Sequence, residues 1–173
     1  MRVLAIETTG EEKSVALAYK GQLLAEVSFR GDLFLEFWPH LEGFLNANRV
    51  KIKEVDCFAV NTGPGSWTGL RFGSAVVKGW AAATGRKVFG LPAAELSALA
   101  LPEHTLAATL ACRCNGGVNP EDLKLVYGRL LKFRKLGEVT PTYTSPLLAR
   151  GECAFGAKGE EFPSLGGRGE GRR

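Results

Sequence analysis

Histidine is scarce in this 173-residue chain, which holds only His40 and His104. Two histidines on unrelated segments exclude an imidazole pair at i and i+4, the spacing that sets two metal ligands on one helix face. No GxxxxGK[ST] run is present, so there is no P-loop to cradle a nucleotide's phosphates. No nucleophile elbow is found, and no Ser/His/Asp set can be drawn. No uncharged apolar run approaches the roughly 18–20 residues that cross a bilayer. Glu7 follows the first apolar residues too soon for a signal peptide, so the expected location is the cytoplasm and no membrane is expected as a partner. Cysteine is sparse too. Cys57 and Cys153 stand alone, and Cys112 and Cys114 are one residue apart, which is not CxxC spacing. All four are expected to be free thiols.

The composition is that of a globular protein, 45% hydrophobic and 23% charged. The net charge of +4 gathers partly in the Gly/Arg-rich end, residues 166–173. Val3 to Ile6, Ser14 to Tyr19 and Leu23 to Phe29 are three strand-like runs joined by short links, one of them Lys20-Gly21-Gln22. They read as an antiparallel meander, with the first strand central because it is apolar throughout.

Asp32 caps a helical pattern over Leu33–Asn46, with apolar residues at Leu33, Phe34, Phe37, Trp38, Leu41, Phe44 and Leu45. That stripe is wide and aromatic, and suggests either a deeply buried helix or a partner surface. Pro39 in its middle is expected to kink or break it.

Cys57 to Val60 is a further strand. It runs into Asn61-Thr62-Gly63-Pro64-Gly65-Ser66-Trp67-Thr68-Gly69-Leu70-Arg71-Phe72-Gly73. Gly63-Pro64-Gly65 forces a turn, and Ser66 or Thr68 can cap the helix that follows to Thr84. A helix N-terminus behind a glycine turn favours an anion, or is simply a tight corner. Gly69 and Gly73 share one helix face and read as a place where another backbone comes close. Val88 to Leu91 is another strand, and Ala93 to Leu101 a short helix. Thr105 to Cys112 and Leu125 to Phe133 are candidate strands and Leu136-Gly137-Glu138 a turn, while Asn115 to Asn119 reads as a turn before Pro120 or as a short echo of the Gly-Gly-Val segment of an adenosine loop. Three sections are expected: an N-terminal half-domain over residues 1–102, a reduced C-terminal half-domain over 103–165, and a loose tail over 166–173.

Val3-Leu4-Ala5-Ile6-Glu7-Thr8-Thr9, the meander, the Gly63–Gly73 loop, and Val88-Phe89-Gly90-Leu91-Pro92 together resemble the bacterial TsaB (YeaZ) family. Its pattern is a first strand ending Asp-Thr-Ser and a loop reading GPGS[FW]TGLR-x-G. The resemblance covers residues 1 to about 101. It implies an α/β, actin-like or Hsp70-like ATPase (ribonuclease-H-like) fold, with a mixed sheet, an antiparallel meander and a reduced second half-domain.

The resemblance further implies a non-catalytic role in forming N6-threonylcarbamoyladenosine at position 37 of tRNA. The partners it implies are the catalytic paralogue TsaD and the ATPase TsaE, with tRNA reached through the complex. ATP and Mg are used by the complex, and no cofactor is expected in this chain. Self-association through the surface that meets TsaD is also implied. That surface maps onto the first two helices, at Leu33, Phe34, Phe37, Trp38, Leu41, Gly69, Phe72, Gly73, Val76 and Trp80.

The chain departs from the family pattern at several points. Glu7 stands where the family has Asp, Leu33-Phe34 replaces a His-Ser pair, and no Asp-Ala-Arg motif follows in the second half. A residual nucleotide or anion site would draw on Glu7, Thr8, Thr9, Gly10, Gly63, Gly65 and Ser66. Pro39-His40-Leu41-Glu42-Gly43-Phe44 looks like the paralogue's two-histidine helix, but Phe44 occupies the second position. The alternative readings are a divergent actin-like ATPase or kinase with its own turnover, and an RNA-binding module using the basic tail.

Overall fold

A computed structural model describes residues 1–128. The chain forms β1 (Arg2–Glu7), β2 (Lys13–Tyr19), β3 (Gln22–Phe29), α1 (Leu33–Ala47), β4 (Cys57–Asn61), α2 (Trp67–Thr84), β5 (Lys87–Leu91), α3 (Ala93–Ala98) and α4 (Leu106–Arg113). The five strands make one sheet in the order β3-β2-β1-β4-β5. β1 pairs antiparallel with β2 and β2 with β3, whereas β1–β4 and β4–β5 are parallel. The meander and the central place of β1 are as the sequence predicts, and the whole is the ribonuclease-H-like arrangement.

Residues of β1 alternate between two cores because successive side chains point to opposite faces. Leu4 and Ile6 join Val15, Leu17, Phe58 and Val60 under α1 and α2. Val3 and Ala5 join Ala16, Ala18, Cys57 and Ala59 under α4. The second face is lined with alanines, and the short alanine-rich α4 lies directly on it. This corrects the expectation of a strand at Thr105 to Cys112. An apolar run of that length is ambiguous by periodicity alone, and Thr105 settles it by accepting from the Ala108 N–H as a helix cap. The first compact unit takes in α4, past the expected boundary at 102, because α4 closes the sheet's second face. The residues expected to form the rest of the C-terminal half-domain and the tail at 166–173 lie outside the described residues, as do the Leu136–Glu138 turn and the end of the Leu125–Phe133 strand. Its described part, Leu125 to Gly128, is not a strand.

Pro39 does not break α1, which runs unbroken through it. Proline removes the N–H that would have met the carbonyl four residues back, and that residue, Leu35, is 73% exposed. Water can therefore take the freed carbonyl. At the start of α1, Asp32 Oδ1 accepts from the N–H groups of Phe34 (2.8 Å) and Leu35 (3.1 Å). Asp32→Ala is expected to lower stability by about 1 kcal/mol, read as an earlier denaturant midpoint with an unchanged slope.

The link between α3 and α4 is tied to β3 through Glu26. Its carboxylate accepts from His104 Nδ1 at 2.7 Å and from the Thr105 N–H at 2.8 Å. Burial alone would raise the Glu26 pKa, but the bonds from His104 and Thr105 outweigh it, and the carboxyl sits below its ordinary value. A lowered native pKa means that the folded chain binds fewer protons than the unfolded one. The contribution is present above the unfolded-state pKa and is lost as pH falls through the native one. Glu26→Gln is therefore expected to flatten the acid limb of a stability–pH curve while lowering stability at neutral pH, as thermal melts at several pH values would read.

Candidate functional site

The loop between β4 and α2 is held by its neighbours rather than held open. At the end of β1, Glu7 is buried, and its Oε1 accepts from both the N–H and the hydroxyl of Thr9, each at 2.6 Å. Asn61 Nδ2 donates to Thr9 Oγ1 at 3.0 Å, and Asn61 Oδ1 accepts from the Gly63 N–H at 2.8 Å. The Ser66 N–H donates to the Thr9 carbonyl at 3.0 Å, and Ser66 Oγ caps α2 by accepting from the Gly69 N–H at 3.3 Å. The Thr8 hydroxyl donates to the Gly69 carbonyl at 2.7 Å.

The structure thus brings Glu7, Thr8, Thr9, Gly63 and Ser66 together as one network. The donors at Thr9, Gly63, Ser66 and Gly69 that an anion would want are directed at protein acceptors. Gly65 lies against Thr9, close enough that a Cβ would stand 2.6 Å from the Thr9 Cβ. Gly10 is exposed at the β1–β2 turn and takes no part.

The close approach at Gly69 and Gly73 is real but internal, which corrects their expected place in a partner surface. A Cβ on Gly69 would overlap the Thr8 carbonyl oxygen and lie 2.8 Å from its carbon. A Cβ on Gly73 would stand 2.5 Å from the Thr8 hydroxyl and 3.3 Å from a Val60 methyl. Both glycines are buried. They let α2 sit on the end of β1, and no residue of another chain is needed to explain them. Spacing on one helix face revealed the close approach; it could not reveal which backbone came close.

The wide stripe on α1 divides in two. Leu33, Phe37, Leu41 and Phe44 are buried against the sheet, so the first three belong to the core rather than to an exposed surface. One residue further round the helix, Phe34 (59% exposed) and Trp38 (47%) face outward, with Leu35 beside them. Phe72 of α2 meets these rings edge to face, 5.5 Å from Phe34, 4.9 Å from Phe37 and 6.1 Å from Trp38. Val76 and Trp80 continue along α2, half-buried against the core, with Trp80 tilted on Phe58 at 5.5 Å. A shallow cleft lined by Trp38, Leu41, Leu45, Val50 and Ile52 adjoins this patch. The outward residues of the expected partner surface are therefore Phe34, Trp38 and the edge of Phe72.

Leu35 was not among the expected surface residues. It falls off the i, i+3, i+4 stripe, and only its exposure in the folded helix marks it. His40 lies on the other flank, where its ring stacks on Phe29 at 4.6 Å and its Nδ1 is 2.8 Å from the Glu36 carbonyl oxygen. Phe44, in the position a second histidine would need, is part of the core. No cluster of three metal-binding side chains occurs among the described residues, and no described helix is long and apolar enough to cross a membrane.

The family model described as "TsaD: tRNA N6-adenosine threonylcarbamoyltransferase" matches residues 36–122, half of the chain. The chain is 31% identical over 102 residues to the tRNA threonylcarbamoyladenosine biosynthesis protein TsaB of Haemophilus influenzae, covering 58% of this chain and 42% of that protein. It is similar to the solved structure of YeaZ from Pseudomonas aeruginosa, with a TM-score of 0.52 and 31% identity, over 57% of this chain and 46% of that one. A second structure, of an uncharacterized protein with similarity to peptidase YeaZ from Pseudomonas aeruginosa, matches at 30% identity and the same TM-score, with the same shares of each chain. The chain thus spans less than half the length of these relatives.

Proposed function

Because the chain belongs to the TsaD family of threonylcarbamoyladenosine proteins, on its TsaB/YeaZ side, we propose that it is a non-catalytic scaffold that pairs with TsaD in modifying tRNA at position 37. TsaE and tRNA join through the complex, where ATP and Mg are used. In the absence of TsaD the same patch takes a second copy of this chain.

The observation that carries the proposal is the outward aromatic patch of Phe34, Trp38 and Phe72. Aromatic residues clustered at the centre of a surface are the usual anchors of a stable interface. Among the described residues, nothing covers Phe34 and Trp38. The network at the start of α2 supports a role without chemistry of its own, since the N–H groups of Gly63, Ser66 and Gly69 serve to hold α2 in place. The test is co-elution of the purified chain with its cognate TsaD at one-to-one stoichiometry. Separate elution of the two proteins at micromolar concentration would rule the scaffold out.

A further inference from the structure

Cys57 opens β4, and Cys114 follows the last residue of α4. Both are buried on the alanine-lined face of the sheet, and their sulfurs lie 3.5 Å apart. That is van der Waals contact between two thiols. A disulfide needs about 2.05 Å, so closure requires a shift of side chains already in contact and facing each other. Cys114 stands outside the helix in an extended conformation, and it leads into Asn115-Gly116-Gly117. The Gly116 carbonyl oxygen lies 3.3 Å from the Cys114 sulfur and 3.8 Å from that of Cys57. The segment beyond is stitched to β5 by the Val118–Val88 bridge. It forms one wall of an open cleft of about 490 Å³, with Phe89, Gly90 and Lys124 also lining it.

We propose that Cys57 and Cys114 are an oxidation-sensitive pair that closes to an intramolecular disulfide when a hydroperoxide supplies the oxidising equivalents. The two sulfurs are unlike in the way such a step requires. Hydrogen bonding between the two sulfurs holds the Cys114 thiol below its ordinary pKa. That same bond, with burial, drives Cys57 well above its own. Cys114 is therefore the sulfur that reaches the thiolate form.

Its thiolate attacks one peroxide oxygen. The O–O bond breaks, leaving a sulfenic acid on Cys114 and releasing the other oxygen as hydroxide, or as water once protonated. The Cys57 sulfur then attacks the Cys114 sulfur. The S–S bond forms, the sulfenic S–O bond breaks, and the departing hydroxide takes the Cys57 proton to leave as water. Two thiols are oxidised, and the peroxide is reduced to two waters if it is hydrogen peroxide, or to an alcohol and one water if it is an organic hydroperoxide. The bond fixes the Asn115–Val118 wall of the cleft to the start of β4.

The test uses the reduced full chain, treated with hydrogen peroxide, alkylated and digested with trypsin without reductant. Trypsin cuts after Lys53, Arg71, Arg113 and Lys124. Cys57 therefore falls in the 54–71 peptide and Cys114 in the 114–124 peptide, while Arg113 separates Cys112 from both. The expected product is these two peptides joined, two hydrogens lighter than their sum, and separated again by dithiothreitol. Cys57→Ser should abolish the product, and Cys112→Ser should leave it unchanged. The oxidised chain should melt higher by on the order of 5 °C or more, since a long loop is closed. Recovery of both peptides fully alkylated after peroxide, or a link that runs through Cys112 or Cys153 instead, would overturn the pair.

Discussion

Gly69→Ala is expected to leave little folded protein. The added methyl would overlap the Thr8 carbonyl oxygen, and its nearest neighbours are backbone atoms of Thr8 and Thr9 at the end of the central strand. A flexible side chain could swing aside, but this backbone cannot. Thr8 is tied to Gly69 by its hydroxyl, and Thr9 is tied to Glu7, Asn61 and Ser66. Relief would require α2 to lift from the sheet, which would expose Leu70 and Val77, both buried. The cost should exceed about 3 kcal/mol, a large part of a typical domain's stability. Gly79→Ala on the same helix is the internal contrast. Gly79 is exposed and nothing lies within 4 Å of its Cβ position. There alanine should stabilise by about 0.5–1 kcal/mol, the difference in helix propensity. Urea denaturation of the two variants reads both signs, and a Gly69→Ala midpoint within error of the parent would mean that α2 does not rest on Thr8.

The second large effect is expected at Trp38. Replacing it with aspartate puts a charge at the centre of the outward aromatic patch. Loss of an aromatic anchor typically costs about 2–4 kcal/mol of binding, so the Kd for TsaD should rise by roughly 30-fold or more. Trp38 is 47% exposed and touches Phe37 and Phe72 only at ring edges, so the fold should survive the change. Circular dichroism and the thermal midpoint check that point. Phe34→Asp, one turn earlier on the same side of α1, should act alike. Undiminished capture of TsaD by both folded variants would place the interface elsewhere.

Phe37→Asp must not be used for this purpose. Phe37 is fully buried, and its loss would unfold the core and mimic a binding defect. The sequence does not separate these two aromatic residues, since both fall within the same wide helical stripe. The division depends on where α2 lies, because Phe72 covers Phe37 and leaves Trp38 half open.

Much of the architecture is written in local signals. Apolar runs, the Lys20-Gly21 turn, the Asp32 and Ser66 caps and the Gly63–Gly73 motif mark β1 to β5 and α1 to α3 in the right order. Each signal depends on backbone chemistry within a few residues, which is why it can be read from the chain alone. The α4 segment reads as a strand from sequence because Leu106 to Ala111 is short and mostly apolar, a pattern that fits either form. Its helix is decided by a capping hydroxyl and by the alanine-lined sheet face it covers.

The sequence by itself determined that Gly69 and Gly73 need a close neighbour and that α1 carries more aromatic surface than a small sheet requires. Only the tertiary structure decided what the glycines meet, which aromatic rings stay outside, and that Cys57 and Cys114, distant along the chain, share a contact. Those facts depend on distances between elements far apart in sequence, and such distances are set by how helices settle on the sheet rather than by any local preference.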